Sequence, residues 1–206
     1  CEVKAAGFNT KPGEGYSYVC QTLDMGISYY RLVYARLTGE PFVVAETKNL
    51  LIREMTTKDL PELYAVYSTL EDCRYIEQLY DYDKELEFTK NYIKNMYGFF
   101  EYGLWLVFEK KSGKLIGRAG IENREIDGVT CCEIGYLIRR DMQHKGYAYE
   151  ACQAILEYAS DELGIQEMFA VIDKTNEPSR KLAQKLGFEL YAQTDGGPDL
   201  YKFVFG

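Results

Sequence analysis

The sequence predicts an α/β (α+β) fold: a mixed, mostly antiparallel sheet of six to seven strands flanked by helices, with an extra helical segment at the N-terminus. Three observations carry this. Across 103–139 the apolar runs GLWLVFEK, KLIGRAGIEN and VTCCEIGYLIR are separated by short, glycine-containing turns, the pattern of an antiparallel meander. After residue 146 helical and strand runs alternate, with EMFAVID at 167–173 as a buried strand between two helices. FELYAQT and DLYKFVF then flank the turn D-G-G-P and close the chain as a strand pair. With 206 residues, 47% of them hydrophobic, the chain can bury one sizeable core and carry an appendage.

In chain order, residues 1–15 hold Gly7, Pro12, Gly13 and Gly15 and read as loop. Residues 18–38 place Leu23, Ile27, Tyr30 and Tyr34 at helical spacing until Gly39 and Pro41 end the run. Residues 1–47 are therefore expected to form a separate segment, the tail of or linker from an upstream domain, and 48–206 the main domain. LLIREMT at 50–56 is a short apolar strand. TKDLPELYAVYST follows as an N-capped helix, with Asp59 and Glu62 in its first turn, where the helix dipole favours negative charge. The run 84–102 carries Leu86, Tyr92, Ile93, Met96 and Phe100 on one stripe and reads as a second helix. A helix from the glycine at 146 runs to about Leu163 and stops at Gly164; the last helix spans about 176–186 and stops at Gly187.

The charge excludes one broad class of function. With 32 acidic against 24 basic residues the chain lacks the basic face a general nucleic-acid binder needs, and an acidic surface suits cationic or small substrates. It contains no apolar run of 18 residues and nothing patterned like a signal peptide, so the expected location is cytoplasmic, with no membrane partner. The six cysteines, at 1, 20, 73, 131, 132 and 152, form no C-x-x-C pair, and with a single histidine they match no zinc spacing. No metal is expected. The neighbours Cys131 and Cys132 point to opposite faces of a strand, which favours packing over redox chemistry. Most of the nineteen tyrosines read as half-buried packing residues with wet hydroxyls.

One stretch breaks the acidic pattern. Residues 143–151, QHKGYAYEA, lie between a strand and a helix, and Arg139, Arg140, His144 and Lys145 are opposed there only by Asp141. A helix start offers unpaired backbone N–H groups and a partial positive charge, and Gly146 lets the backbone approach an anion closely. The expected ligand is a phosphate.

Three separated motifs, the strand CEIGYLI, the loop Q-H-K-G-Y-A and the helix NEPSRKLAQKLGF, together resemble the GNAT superfamily of N-acetyltransferases, and more closely the branch with the ribosomal-protein alanine acetyltransferases. The resemblance covers about 48–206. It implies that acetyl-coenzyme A is the co-substrate. Gln143, His144, Lys145, Gly146, Tyr147 and Ala148 match the loop whose amides hold the pyrophosphate. Leu137 and Ile138 match a bulged strand end that pairs with the pantetheine arm and offers a backbone N–H to the thioester carbonyl. Asn176 and Ser179 match the helix start on the other side of the cofactor cleft, and Gly187 and Phe188 the L-G-F ending.

Acyl transfer to an amine needs a base, because a lysine-type amine with a pKa near 10.4 is neutral about once in two thousand molecules at pH 7. Glu133, at the start of E-I-G-Y-L-I, is the candidate, with Glu122 a second choice. Many family members supply a tyrosine as the acid for the leaving thiolate, seven residues after the asparagine. Here that position is Ala183, which leaves the role to Tyr147, Tyr191, water or no group. Tyr75, Tyr80, Tyr82, Trp105 and Tyr136 are candidates to line the cleft for a small-molecule or peptide amine. The alternative reading is a non-catalytic module that binds acyl-coenzyme A and regulates an upstream domain.

Overall fold

The computed structural model describes residues 23–70, 74–126 and 128–206. The chain divides after Phe42 into two units. The first contains helix α1 (Leu23–Thr38), and the predicted helical residues 18–22 lie outside the described residues. No helix among the described residues is long and apolar enough to cross a membrane.

The second unit, Val43–Gly206, is built on a sheet of eight strands: β1 (Val43–Glu46), β2 (Leu50–Arg53), β3 (Leu104–Glu109), β4 (Lys114–Ile126), β5 (Val129–Ile138), β6 (Glu167–Ile172), β7 (Glu189–Gln193) and β8 (Asp199–Val204). The spatial order is β1-β2-β3-β4-β5-β6-β8-β7. All neighbours run antiparallel except β5 and β6. The predicted meander is β3-β4-β5, and the predicted C-terminal pair is β7-β8. β1 was not expected. It has only four residues with both ends exposed, so no apolar alternation marks it, and its pairing with β2 interrupts its own register between Val43 and Ala45.

The helices are α2 (Leu60–Tyr67), α3 (Tyr82–Tyr92), α4 (Tyr147–Asp161) and α5 (Glu177–Leu186). A 3-10 turn, Thr57–Asp59, leads into α2, and the Asp59 carboxylate accepts from the Thr56 N–H (2.7 Å) and hydroxyl (2.8 Å). The same carboxylate forks with Arg53 at 2.6 and 2.9 Å, tying α2 to the end of β2. Asp81 caps α3 by accepting from the Lys84 N–H.

The predicted second helix continues beyond α3 as a π-helical turn, Ile93–Phe100. Its wider repeat rotates the inward face. Tyr97 is buried there, while Phe100, expected on the buried stripe, is 41% exposed.

The two helix layers cover opposite faces of the sheet. Arg118 of β4 donates to the Tyr67 hydroxyl of α2, whereas its neighbour Ala119 faces Trp105, whose ring meets Tyr158 of α4 edge-on. The core runs through both layers, with Leu50, Ile52, Leu60, Leu63, Trp105, Ile116, Ile121 and Ile155 all fully buried. Trp105 is thus a core residue and not part of a cleft. At the end of α5, Gly187 takes φ 96° and the Phe188 N–H bonds the Ala183 carbonyl, so the helix stops and Phe188 turns into the core.

Candidate active site

The site forms where β5 and β6 part. Their register holds one facing pair, Glu133 with Phe169, and beyond it the parallel strands diverge into a V. The Arg139 N–H bonds the Ile116 carbonyl on β4. By alternation the backbone groups of Leu137 also turn toward β4, while those of Tyr136 and Ile138 face the opening. The ladder between β4 and β5 runs in unbroken register from Val129 to Ile138, so the strand end is straight where a bulge was expected.

The Glu133 carboxylate occupies the apex of the V. Its Oε1 accepts from the Val171 N–H at 3.3 Å, a donor that a continued parallel ladder would direct at β5 backbone. Its Oε2 meets Arg124 Nε at 2.9 Å. Burial pushes the Glu133 carboxyl above the usual carboxylate range, against the opposing pull of Arg124 and the Val171 bond.

Glu122 faces Glu133 across β4 and β5, and its carboxylate lies over Gly135, where an added Cβ would stand 2.9 Å from Oε2. Burial raises the Glu122 carboxyl too, with Arg118 opposing and Glu77 reinforcing the shift. Arg118 itself is buried on this face, and its Nε has no partner among the described residues. The sequence reading missed Arg118 and Arg124. Their signal was the period-two series Arg118, Gly120, Glu122, Arg124 along one face of β4, polar or small throughout.

The loop after β5 is held from several sides. Arg140 N–H donates to the Thr69 hydroxyl (3.1 Å), and Gln143 Nε2 to the Ile138 carbonyl (2.8 Å). Asp141 pairs with Arg139 at 2.6 Å, so the one acid of this stretch is engaged, while His144 and Lys145 are exposed. His144 and Gly146 both sit in the left-handed region, at φ 60° and 86°. These two residues turn the chain into α4, whose first intrahelical bond runs from Glu150 N–H to the Gly146 carbonyl. The N–H groups of Tyr147, Ala148 and Tyr149 therefore have no partner within the helix and point out of its start. Donors in this number, beside a lysine, fit a pyrophosphate. Glu150 fixes the position of the helix by accepting from Thr47 Oγ (2.6 Å), Asn49 N (2.8 Å) and Asn49 Nδ2 (2.8 Å) at the β1-β2 turn.

Across the V, Asn176 caps α5 by accepting from the Ser179 N–H at 3.3 Å, and the Tyr136 hydroxyl donates to the Ser179 carbonyl at 3.4 Å. The hydroxyls of Tyr75 and Thr175 meet at 2.6 Å, bringing the segment after α2 against the loop before α5. Tyr80 and Tyr82 are exposed further out. The two tyrosines considered as acids lie apart from Ala183, which is itself buried: Tyr147 is bonded to Glu109 at the end of β3, and Tyr191 stacks edge-on against Phe169 beside Glu133. Among the described residues no group of three His, Cys, Asp or Glu is placed to hold a metal.

A family model described as an acetyltransferase (GNAT) domain matches residues 49–189. The chain is 32% identical over 134 residues to the uncharacterized protein YkkB of Bacillus subtilis (strain 168), covering 65% of this chain and 72% of that one. It is 33% identical over 143 residues to the uncharacterized N-acetyltransferase YnaD of the same strain, covering 68% and 79%. Among solved structures it matches, at TM-score 0.66 and 15% identity, a Salmonella typhimurium acetyl transferase that modifies the N-terminal serine of 50S ribosomal subunit protein L7/L12, covering 80% of this chain and 99% of that one.

Proposed function

This chain belongs to the GNAT acetyltransferase family and is an acetyl-CoA-dependent acetyltransferase; from that premise we propose that it acetylates a primary amine, on a protein N-terminus or a small molecule, by direct attack within a ternary complex. The observation that carries this reading is the Glu133 carboxylate at the apex of the V, partly buried and held by Arg124 and Val171. Acetyl-coenzyme A supplies an activated acyl group as a thioester. The N–H groups of Tyr147, Ala148 and Tyr149, with Gln143, His144, Lys145 and Gly146 shaping the loop, are assigned to its pyrophosphate. Leu137 and Ile138 at the end of β5, with Asn176 and Ser179 at the start of α5, are assigned to the arm; the Ile138 N–H faces the opening and suits an oxyanion.

Glu133 takes the proton that the amine loses as it attacks. Burial makes this carboxylate a stronger base than an exposed one, which is what a proton acceptor needs near neutral pH. The YnaD relative carries the name N-acetyltransferase, which supports turnover over a module that only binds coenzyme A.

The test is thiol release from acetyl-coenzyme A against a panel of small amines and short peptides, with Glu133→Gln alongside. Release that requires an amine and falls at least about tenfold in the variant supports the reading. Coenzyme A binding with no release on any acceptor overturns it.

A further inference from the structure

Acyl transfer ends when the carbon–sulfur bond breaks and the electron pair goes to sulfur. Stabilising that charge takes a donor inside the V. Among the tyrosines near the opening, Tyr147 is already bonded to the Glu109 carboxylate, and Tyr191 belongs to β7, two strands beyond β6, where its ring meets Phe169. Tyr136 differs from both. It projects from β5 on the face that Ala119 shares, and its hydroxyl reaches the Ser179 carbonyl at the start of α5, the residue assigned above to the arm of the co-substrate. In a regular helix that carbonyl already accepts from the N–H of residue 183. The Tyr136 hydroxyl therefore lies within one turn of Ala183 along α5.

Two further features fit a donor. At 3.4 Å the bond to Ser179 is well beyond the usual 2.7–2.8 Å for hydroxyl to oxygen, so the hydroxyl gives up little by turning to another acceptor. Burial, before any other influence, pushes the Tyr136 phenol well above its ordinary range, so it is a neutral O–H at any working pH.

Resting on the acetyltransferase reading, we propose that the Tyr136 hydroxyl donates a hydrogen bond to the sulfur of coenzyme A as the carbon–sulfur bond breaks. The sulfur leaves as a hydrogen-bonded thiolate and takes its proton afterwards from water; the phenol keeps its own. Full proton transfer is disfavoured, because a phenol is a weaker acid than a thiol with a pKa near 8.5.

The experiment compares wild type with Tyr136→Phe, which keeps the ring and removes only the hydroxyl. Coenzyme A is bound to each, and its alkylation by iodoacetamide is followed by mass as a function of pH. A hydrogen bond to the thiolate lowers the midpoint in wild type by about one pH unit relative to the variant. In turnover, kcat of the variant falls about tenfold while KM for acetyl-coenzyme A and for the amine hold. Coincident midpoints overturn the proposal, as does a loss of activity that tracks weaker coenzyme A binding or a lowered Tm, since either assigns the hydroxyl to structure. Wild type that binds no coenzyme A, or releases no thiol, instead removes the acetyltransferase reading beneath it.

Discussion

A glutamate serves as a base only above its own pKa, and partial burial holds that of Glu133 above the ordinary carboxylate range. The rate should therefore climb with pH through a limb that lies above 4.5, as Glu133 loses its proton, and Glu133→Gln should remove that limb; a pH profile of kcat/KM in both proteins reads it. Gly146 makes a second prediction at this scale. At φ 86° a side chain is strained by about 1–2 kcal/mol, and Gly146→Val would also reshape the helix start. KM for acetyl-coenzyme A should rise, with kcat at saturation little changed. Glu133 and the glycine loop could both be picked out in the sequence, because each is a residue type in a local pattern. What holds Glu133 could not: Arg124 reaches it across a strand pair and Val171 from 38 residues further on.

Among the elements, α4 matters most, because its first turn carries the donors assigned to the pyrophosphate. Glu150 anchors that turn to residues 47–49, and bonds from Asn49 and Thr47 outweigh burial and hold its carboxyl below the usual range. Glu150→Ala should cost about 1–2 kcal/mol in denaturant unfolding and raise KM for acetyl-coenzyme A. The anchor was invisible in the sequence because a hundred residues separate its partners, and because β1, four residues long, carries no periodic signal. α3 was legible in its first three turns; the π-helical turn after it was not, since a helical stripe assumes 3.6 residues per turn throughout.

For the molecule as a whole, two helix layers share one sheet, and Trp105 sits fully buried against Tyr158. Trp105→Ala should destabilise the fold by about 3–5 kcal/mol, measured by urea unfolding. Acid should destabilise it by another route. Burial raises the Asp59 carboxyl, but the Arg53 fork and the Thr56 bonds outweigh it and leave the pKa below 3.8. That contribution is present above pH 3.8 and is lost as pH falls through the folded value, and Asp59→Asn should flatten the acid limb of a stability curve between those limits.

By itself the sequence determined most of the element types, the antiparallel meander, the glycine loop before α4 and the carboxylate in the middle of β5. These follow from periodicity, glycine placement and charge within a few residues of one another. Only the tertiary structure decided that β5 and β6 run parallel and part beyond Glu133, that its carboxylate fills their apex, and that the Tyr136 hydroxyl meets the start of α5. Those are contacts between distant segments, and they form where the packing of helices against both faces of the sheet brings the strand ends together.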